Sequence, residues 1–142
     1  MYIWPPKNER YIQANNLRGV NVDVEIKDYR IITPKSNVKA TFTQISSTIM
    51  NAITSVYGRE FINRNSDIKV IIEVHAYHAD FYTGMWHGQT RYVVRLNDTE
   101  ETIEQDNYLY NTLGNSTGKS VLNKSFIGVN MKLFDFLNNH LR

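Results

Sequence analysis

The stretch that decides the fold runs from Val20 to Ile26 and reads VNVDVEI. Valine or isoleucine stands at every second position, and a polar residue stands at each position between them. Because successive side chains of a strand point to opposite faces of the sheet, this alternation predicts a strand with one face in the core and the other in water. We expect the strand to run on to Ile32 with a bulge after Asp28, and to end at Pro34.

Beyond Pro34 the spacing of the apolar residues changes from two to three and four. The apolar residues of this part are Phe42, Ile45, Ile49, Ile53 and Val56. Residues with this spacing form one stripe along a helix, and Gly58 follows as a C-terminal stop signal. The sequence therefore predicts an amphipathic helix that begins at Phe42.

Two further strands are predicted to form a long antiparallel hairpin. The first begins with Val70 to Val74, is apolar on both faces as a central strand is, and continues toward Phe81. Gly84 is free to adopt a positive φ and so to reverse the chain. The second strand alternates again, with one face made of Thr90, Tyr92, Val94 and Leu96.

The remaining chain is predicted to form a loop, a strand and a helix. Residues 97–105 are acidic and polar and are interpreted as a surface loop or a frayed strand end, and Tyr108 to Leu113 as a fourth strand. After a turn at Gly114 to Gly118, apolar residues at helical spacing predict a final helix from Leu122 to Leu141. The fold class is therefore α+β with the order β-α-β-β-β-α, a mainly antiparallel four-stranded sheet with two amphipathic helices packed on one face.

The length and composition indicate one folded domain. The chain has 142 residues, which is enough to bury about two thirds of its unfolded surface in a single core. Residues 1–18 have no sustained period and are interpreted as an extended arm or tether, and residues 19–142 as a single α+β domain. With no cysteine, the chain cannot form a disulfide scaffold, a zinc ribbon or an iron–sulfur site.

The charge balance argues against nucleic acid as a partner. Lys and Arg number 16 against 14 Asp and Glu, so the net charge is only +2, and the basic residues are scattered singly. A nucleic-acid-binding protein usually concentrates them on one face. No apolar run approaches the roughly 18 residues that a membrane-spanning helix needs.

Two motifs that suggest ligand chemistry fail on spacing. The string Gly114 to Ser120 resembles a phosphate-binding loop, but the position at which the first glycine should stand is Leu113. His78 and His87 are candidates for a two-histidine metal site with Asp80, whereas His75 should point to the opposite face of the strand from His78. We expect these histidines to be ordinary strand residues, with no functional metal and no cofactor.

The sequence contains no pattern that identifies an enzyme. It has no Gly-x-Ser-x-Gly nucleophile elbow, and its paired acids Glu100 and Glu101 lie in the predicted loop. We therefore expect a protein that is not an enzyme.

An aromatic cluster around the tip of the predicted hairpin is the candidate binding surface. Its members are Tyr77, Phe81, Tyr82, Met85, Trp86 and Tyr92. Exposed clusters of this kind often mark binding surfaces. The hypothesis predicts that Trp86→Ala weakens partner capture and leaves thermal stability nearly intact, whereas unfolding of that variant would place the residue in the core.

The order of these elements, from the Val20 to Ile26 strand to the final helix, resembles that of small lipoproteins of the Gram-negative periplasm and outer membrane. That group includes the lipoprotein partner of the lipopolysaccharide translocon and auxiliary lipoproteins of transport systems. The resemblance covers roughly residues 19–141 and is one of topology, without a diagnostic motif. It implies a domain in the periplasm that is tethered through an N-terminal lipidated cysteine, and this chain contains no such residue.

The leading hypothesis is a non-enzymatic binding or assembly module of the cell envelope. It would dock on a larger protein through an exposed strand edge and the aromatic hairpin tip, and it would meet the membrane only through a lipid anchor. The alternative is a small-molecule-binding protein or an enzyme with a pocket between the sheet and the helices. Zinc- or ligand-dependent thermal stabilisation that is lost in His78→Ala would favour that alternative.

Overall fold

The computed structural model describes residues 1–7, 11, 17–31, 37–110 and 115–141, and for residues 115 and 116 the backbone alone. The strands are β1 (Asp23–Asp28), β2 (Val38–Lys39), β3 (Lys69–Tyr82), β4 (Met85–Leu96) and β5 (Thr99–Leu109). The helices are α1 (Phe42–Tyr57) and α2 (Asn115–His140), and a 3-10 turn (Arg59–Phe61) follows α1. The predicted α+β class is confirmed, although the sheet has five strands where four are expected.

The sheet is mixed and has the strand order β1-β3-β4-β5. β1 runs parallel to β3, whereas the pairs β3 with β4 and β4 with β5 are antiparallel. The two-residue β2 pairs with β3 at His78 and Ala79, beyond the stretch that pairs with β1. β1 and β2 therefore pair with the same side of β3, β1 with its first half and β2 with its second half, and β5 forms the opposite edge of the sheet.

Local signals in the sequence account for the boundaries of α1. The hydroxyl oxygen of Thr41 accepts a hydrogen bond from the backbone N–H of Gln44 at 3.2 Å, and the Gln44 side chain accepts one from the Thr41 N–H at 2.9 Å. This reciprocal capping box satisfies two backbone donors that the first turn of a helix leaves free. The helix ends at Gly58, whose φ of 94° is accessible to glycine, so the predicted C-terminal stop is confirmed.

One face of the sheet carries the core, and α2 lies across β3, β4 and β5 on that face. The predicted alternation of β4 is confirmed, because Thr90, Tyr92, Val94 and Leu96 are buried while the residues between them are partly exposed. α1 packs against α2, and the buried apolar residues form a single cluster. The opposite face carries no helix among the described residues, and we refer to it as the open face.

Several predictions about the strands differ from the structure. β1 ends at Asp28, and the predicted strand end at Ile32 and Pro34 lies outside the described residues. The irregularity of register lies in β3 between Val74 and Ala76 instead of after Asp28. Residues 99–105, expected to be a surface loop or a frayed strand end, form most of β5 as a regular edge strand, because the hydrogen bonds of β4 hold this polar stretch. The predicted fourth strand contributes only Tyr108 and Leu109 to β5, and residues 111–114 lie outside the described part.

The last helix begins earlier than expected. The predicted turn at 114–118 is wrong from Asn115 onward, because residues 115–118 already belong to α2. Gly118 lies under the ring of Trp86, where an added Cβ would be 2.5 Å from a ring carbon. The glycine therefore permits close packing of α2 on β4.

The described parts of the predicted N-terminal arm pack on the domain. The backbone N–H of Ile3 donates to the carbonyl of Lys39 at 2.8 Å, and the N–H of Lys39 donates to the carbonyl of Met1 at 3.0 Å. Ile3 and Leu17 are both buried in the core cluster. Hydrogen bonds to β2 and apolar burial thus hold these residues against the sheet.

Candidate functional site

The six residues of the predicted aromatic cluster do not share one surface. Tyr77, Trp86 and Tyr92 lie on the face covered by α2 and are at most 3% exposed. The Tyr77 ring meets Phe126 edge to face at 5.5 Å, and burial raises the pKa of its hydroxyl well above the ordinary value. These three residues belong to the core, which is a correction to the expected exposed patch of six.

The other three members remain at the tip of the hairpin. Phe81 and Tyr82 are 40% and 55% exposed, and Met85 is half-buried. The two-residue turn between Tyr82 and Met85 has a positive φ at both Thr83 (57°) and Gly84 (72°), as the tightest hairpins do. The turn therefore holds these side chains at the very end of the sheet.

The end of β5 adds residues to this surface that the sequence reasoning missed. Leu109 pairs with Trp86 and Tyr108 with His87, so the end of β5 lies beside the start of β4. We call this set the tip surface; it consists of the half-buried Met85 and the exposed Phe81, Tyr82, Tyr108, Leu109 and Tyr110. Tyr110 is 79% exposed. In the sequence these residues stand out only as the apolar triplet 108–110. That the triplet lies beside the hairpin follows from the pairing of β5 with β4.

A row of rings crosses three strands on the open-face side of the tip surface. Tyr82 stacks on His87 with ring centres 3.8 Å apart and an interplanar angle of 5°. His87 in turn meets the Tyr108 ring edge to face at 4.9 Å. These contacts restrict the rotamers of both tyrosines, so the tip surface is partly ordered before any partner binds.

β5, whose last residues belong to the tip surface, is rich in acidic residues and forms an edge of the sheet. Residues 98–109 contain five acidic residues and no basic one, namely Asp98, Glu100, Glu101, Glu104 and Asp106. Glu100 forms an ion pair with Arg95 at 2.9 Å. In the described sheet, β5 pairs with β4 alone, and so its outer backbone groups are not used by another strand.

The histidine candidates for a metal site have other contacts. Nδ1 of His78 lies 2.8 Å from a carboxylate oxygen of Asp80, while His87 is held between two tyrosine rings. Within the described residues, no group of three or more histidines and acids is placed to hold a metal ion. The expectation that His75 and His78 point to opposite faces is wrong, because the extra residue in β3 turns both toward the open face.

The alternative function was expected to lie between the sheet and the helices, and one of the grooves that described residues form there lies at the border of β5 and α2. Its volume is about 400 Å³, and Ile103, Glu104, Lys132 and Phe136 are among the residues that line it. The Lys132 ammonium donates to the Glu104 carbonyl at 2.7 Å across the groove. No described feature of the groove identifies a reaction, and the small-molecule alternative stays a prediction.

Among the described residues, no helix combines the length and the apolar character that crossing a bilayer requires.

Comparison with known proteins identifies the fold and no more. No family model matches the sequence, and no curated protein matches it either. The chain is similar to the crystal structure of protein XCC0632 from Xanthomonas campestris, of family DUF330, with a TM-score of 0.61 and 10% sequence identity over 94% of this chain and 89% of that one. A second structure, of an uncharacterized protein, has a TM-score of 0.49 and 11% identity over 83% of this chain and 90% of that one.

Proposed function

We propose that this chain is a non-enzymatic binding module that docks on a larger protein through the tip surface and the adjoining edge of β5. The observation that carries the proposal is the convergence of exposed apolar side chains from two separate strand ends, at 40–79% exposure for Phe81, Tyr82, Tyr108, Leu109 and Tyr110. Contiguous apolar exposure on a folded domain is a mark of an interaction surface. Aromatic residues are also the side chains most enriched at binding hot spots.

The edge of β5 supplies the second half of the docking surface. An extended segment of a partner can add to an edge strand through main-chain hydrogen bonds, while its side chains give specificity. The acidic residues on β5 favour a segment that carries Lys or Arg and slow the pairing of two copies through this edge. The proposed partner therefore presents a basic extended segment with an apolar end.

We further propose that the module works in the bacterial cell envelope. The resemblance to envelope lipoproteins was based on the predicted order of strands and helices. The main elements of the structure follow each other in this order, which supports the proposed location. Two observations test the location: the gene sequence upstream of residue 1 and fractionation of cells that produce the native protein. A signal peptide ending at a cysteine and recovery with the envelope are expected; an intact cytosolic start with recovery in the cytosol would reject this location.

Site-directed photo-crosslinking in the source cells tests docking directly. A benzoyl-phenylalanine probe replaces Tyr82 or Tyr110 and, as a control, Asn65 in the turn before β3, roughly 40 Å away along that strand. One adduct of the same mass is expected from both tip positions and none from Asn65. When Phe81→Ser and Leu109→Ser are introduced into either tip-probe variant, the adduct should disappear. Adducts of equal yield at all three positions, or none at the tip, would reject the proposal.

A further inference from the structure

A cleft on the open face has a different chemical character from the tip surface. It has a volume of about 170 Å³ and lies between the chain after β1, the short β2 and the middle of β3 and β4. The residues that give it its character are Arg30, Lys39, His75, His78, Gln89 and Arg91. We call it the cationic cleft.

The bulge in β3 creates this arrangement. Because one extra residue interrupts the alternation between Val74 and Ala76, His75 and His78 both line the cleft although they are three residues apart. Gln89, the cross-strand partner of His78, and Arg91, the partner of Ala76, line the cleft from β4. A regular strand would have placed one of the two imidazoles in the core.

The cleft lining carries three permanent positive charges, those of Arg30, Lys39 and Arg91, and no acidic residue. The Asp28 carboxylate, which is not part of the lining, pairs with Arg30. Arg91 lies opposite Glu104 in the register of β4 and β5, yet these two residues form no ion pair. Lys39 has its ammonium 5.1 Å from the Tyr2 ring, so neither of these two charges is neutralised by a carboxylate among the described residues.

The Arg30 donors are held in place before a ligand arrives. Arg30 makes two hydrogen bonds to the Asp28 carboxylate, at 2.9 and 3.1 Å, and one to the Ala40 carbonyl at 2.8 Å. Its side chain is only 6% exposed, and these bonds leave two of its five N–H groups free. His78 uses Nδ1 for Asp80, so in its neutral form it lines the cleft without adding a donor.

His75 is fixed in the same way. Its Nε2 lies 3.1 Å from Glu73, and its ring stacks on Tyr29 with centres 5.5 Å apart and an interplanar angle of 12°. Tyr29 and Ile31 form an exposed apolar rim of the cleft. A ligand would therefore meet the fixed Arg30 guanidinium inside the cleft and apolar groups at the entrance.

We propose that the cationic cleft binds the phosphate group of a small phosphate monoester, with the organic part of the ligand against Tyr29 and Ile31. Donors arrive from three elements, namely the chain after β1 (Arg30), β2 (Lys39) and β4 (Gln89 and Arg91), which suits the three terminal oxygens of a tetrahedral phosphate better than the two oxygens of a carboxylate. A cavity of about 150 Å³ accommodates benzene, so this cleft has room for a phosphate and a short substituent. The site is independent of docking at the tip surface.

Isothermal titration calorimetry with sn-glycerol 3-phosphate tests the proposal, with glycerol as the uncharged comparison. Wild-type protein should bind the phosphate ester and not glycerol. Arg91→Gln should weaken binding about tenfold or more, because a charge-assisted hydrogen bond to phosphate is lost. The matched control is Arg64→Gln, which makes the same charge change in the exposed turn before β3 and should alter affinity less than about twofold.

Two further probes distinguish the source of the phosphate group. Inorganic phosphate that binds as tightly as the ester would show that the organic part contributes nothing and would overturn the monoester assignment. Phosphatidylcholine vesicles containing phosphatidic acid, compared with phosphatidylcholine alone, report a lipid headgroup as the source if they retain wild-type protein and release Arg91→Gln.

The proposal is rejected if neither the ester nor the phosphatidic acid vesicles bind, or if Arg64→Gln loses as much affinity as Arg91→Gln. If Arg91→Gln without ligand melts at a lower temperature than the wild type, Lys39→Gln replaces it as the test variant. The same loss of affinity for the phosphate ester is expected.

Discussion

The hydroxyl of Tyr92, in the middle of β4, donates a 2.9 Å hydrogen bond to Oδ1 of Asn130 in α2, and both residues are completely buried. The Asn130 amide nitrogen in turn donates to the Tyr11 hydroxyl at 3.2 Å. Burial raises the pKa of Tyr92 well above its ordinary value, so the hydroxyl keeps its proton and remains a donor. The pair sets the position of α2 on the sheet through a polar contact inside an apolar core.

Tyr92→Phe should therefore destabilise the protein although it removes a single oxygen. The Asn130 oxygen would lose its donor in a place without access to water, at a cost of about 1–3 kcal/mol in the free energy of unfolding. Urea denaturation followed by circular dichroism measures the change. The control is Tyr82→Phe, at an exposed hydroxyl; equal stability of the two variants would contradict the role of the buried hydrogen bond.

Because Trp86 is buried, Trp86→Ala should lower the free energy of unfolding, and this variant is therefore unsuited as a test of docking. The indole is 3% exposed and packs over Gly118, so truncation leaves a cavity that costs about 3–5 kcal/mol. Tyr82→Ala, four positions earlier at an exposed site, should change stability by less than about 1 kcal/mol. Thermal denaturation of both variants compares them, and a Trp86→Ala protein as stable as the wild type would place the indole outside the core.

The glycine at position 88 should not tolerate a methyl group. An added Cβ would lie 2.8 Å from the backbone carbonyl of Val121 in α2, and a helix backbone cannot move aside as a side chain can. Gly88→Ala should therefore lower stability by about 1–3 kcal/mol.

The matched control for that variant is Gly128→Ala. There the three atoms nearest to the added Cβ all belong to the end of the Gln105 side chain, which can rotate away. Helix propensity favours alanine over glycine by about 1 kcal/mol, so this variant should be neutral or more stable. Chemical denaturation that ranks Gly128→Ala below Gly88→Ala would refute the close approach of β4 to α2.

The carboxylate of Glu73 should make stability depend on pH in the acid range. Its oxygens accept hydrogen bonds from Arg95 at 3.0 Å and contact His75 at 3.1 Å, and the Arg95 bond is the main reason that its pKa is lowered. A lowered pKa means that the stabilisation is present above the ordinary value of about 4.3 and is lost as the pH falls through the lower value of the folded state.

Unfolding free energies of the wild type and Glu73→Gln test this pH dependence. The difference between the two proteins should be largest near about pH 7 and should shrink toward about pH 3. Glu60→Gln, at an exposed position in the 3-10 turn, is the control. A difference that stays constant over this range would mean that Glu73 does not stabilise the fold through its charge.

Patterns within single elements were enough to predict much of the fold. The alternation in β4 and the apolar stripe of α1 each record which side of an element is buried, because strands and helices repeat every two and 3.6 residues. The polar sequence of β5 shows no such periodic pattern, because this edge strand buries few side chains. Its pairing with β4 supplies the hydrogen bonds that make it a strand.

The candidate site could be predicted only in part for the same reason. Phe81 and Tyr82 were found from their place at a turn, but the burial of Trp86 depends on the register of β3 with β4 and on the position of α2. The contribution of Tyr108 and Tyr110 depends on where β5 ends relative to that hairpin.

By itself, the sequence determined the α+β class, the order of the main elements and the buried faces of β4 and α1, because each of these follows from periodicity along the chain. Only the tertiary structure decided that His75 and His78 line one cleft and that Tyr77, Trp86 and Tyr92 lie beneath α2. A one-residue bulge reverses the face of every side chain that follows it, and its place is set by the hydrogen bonds of the neighbouring strand.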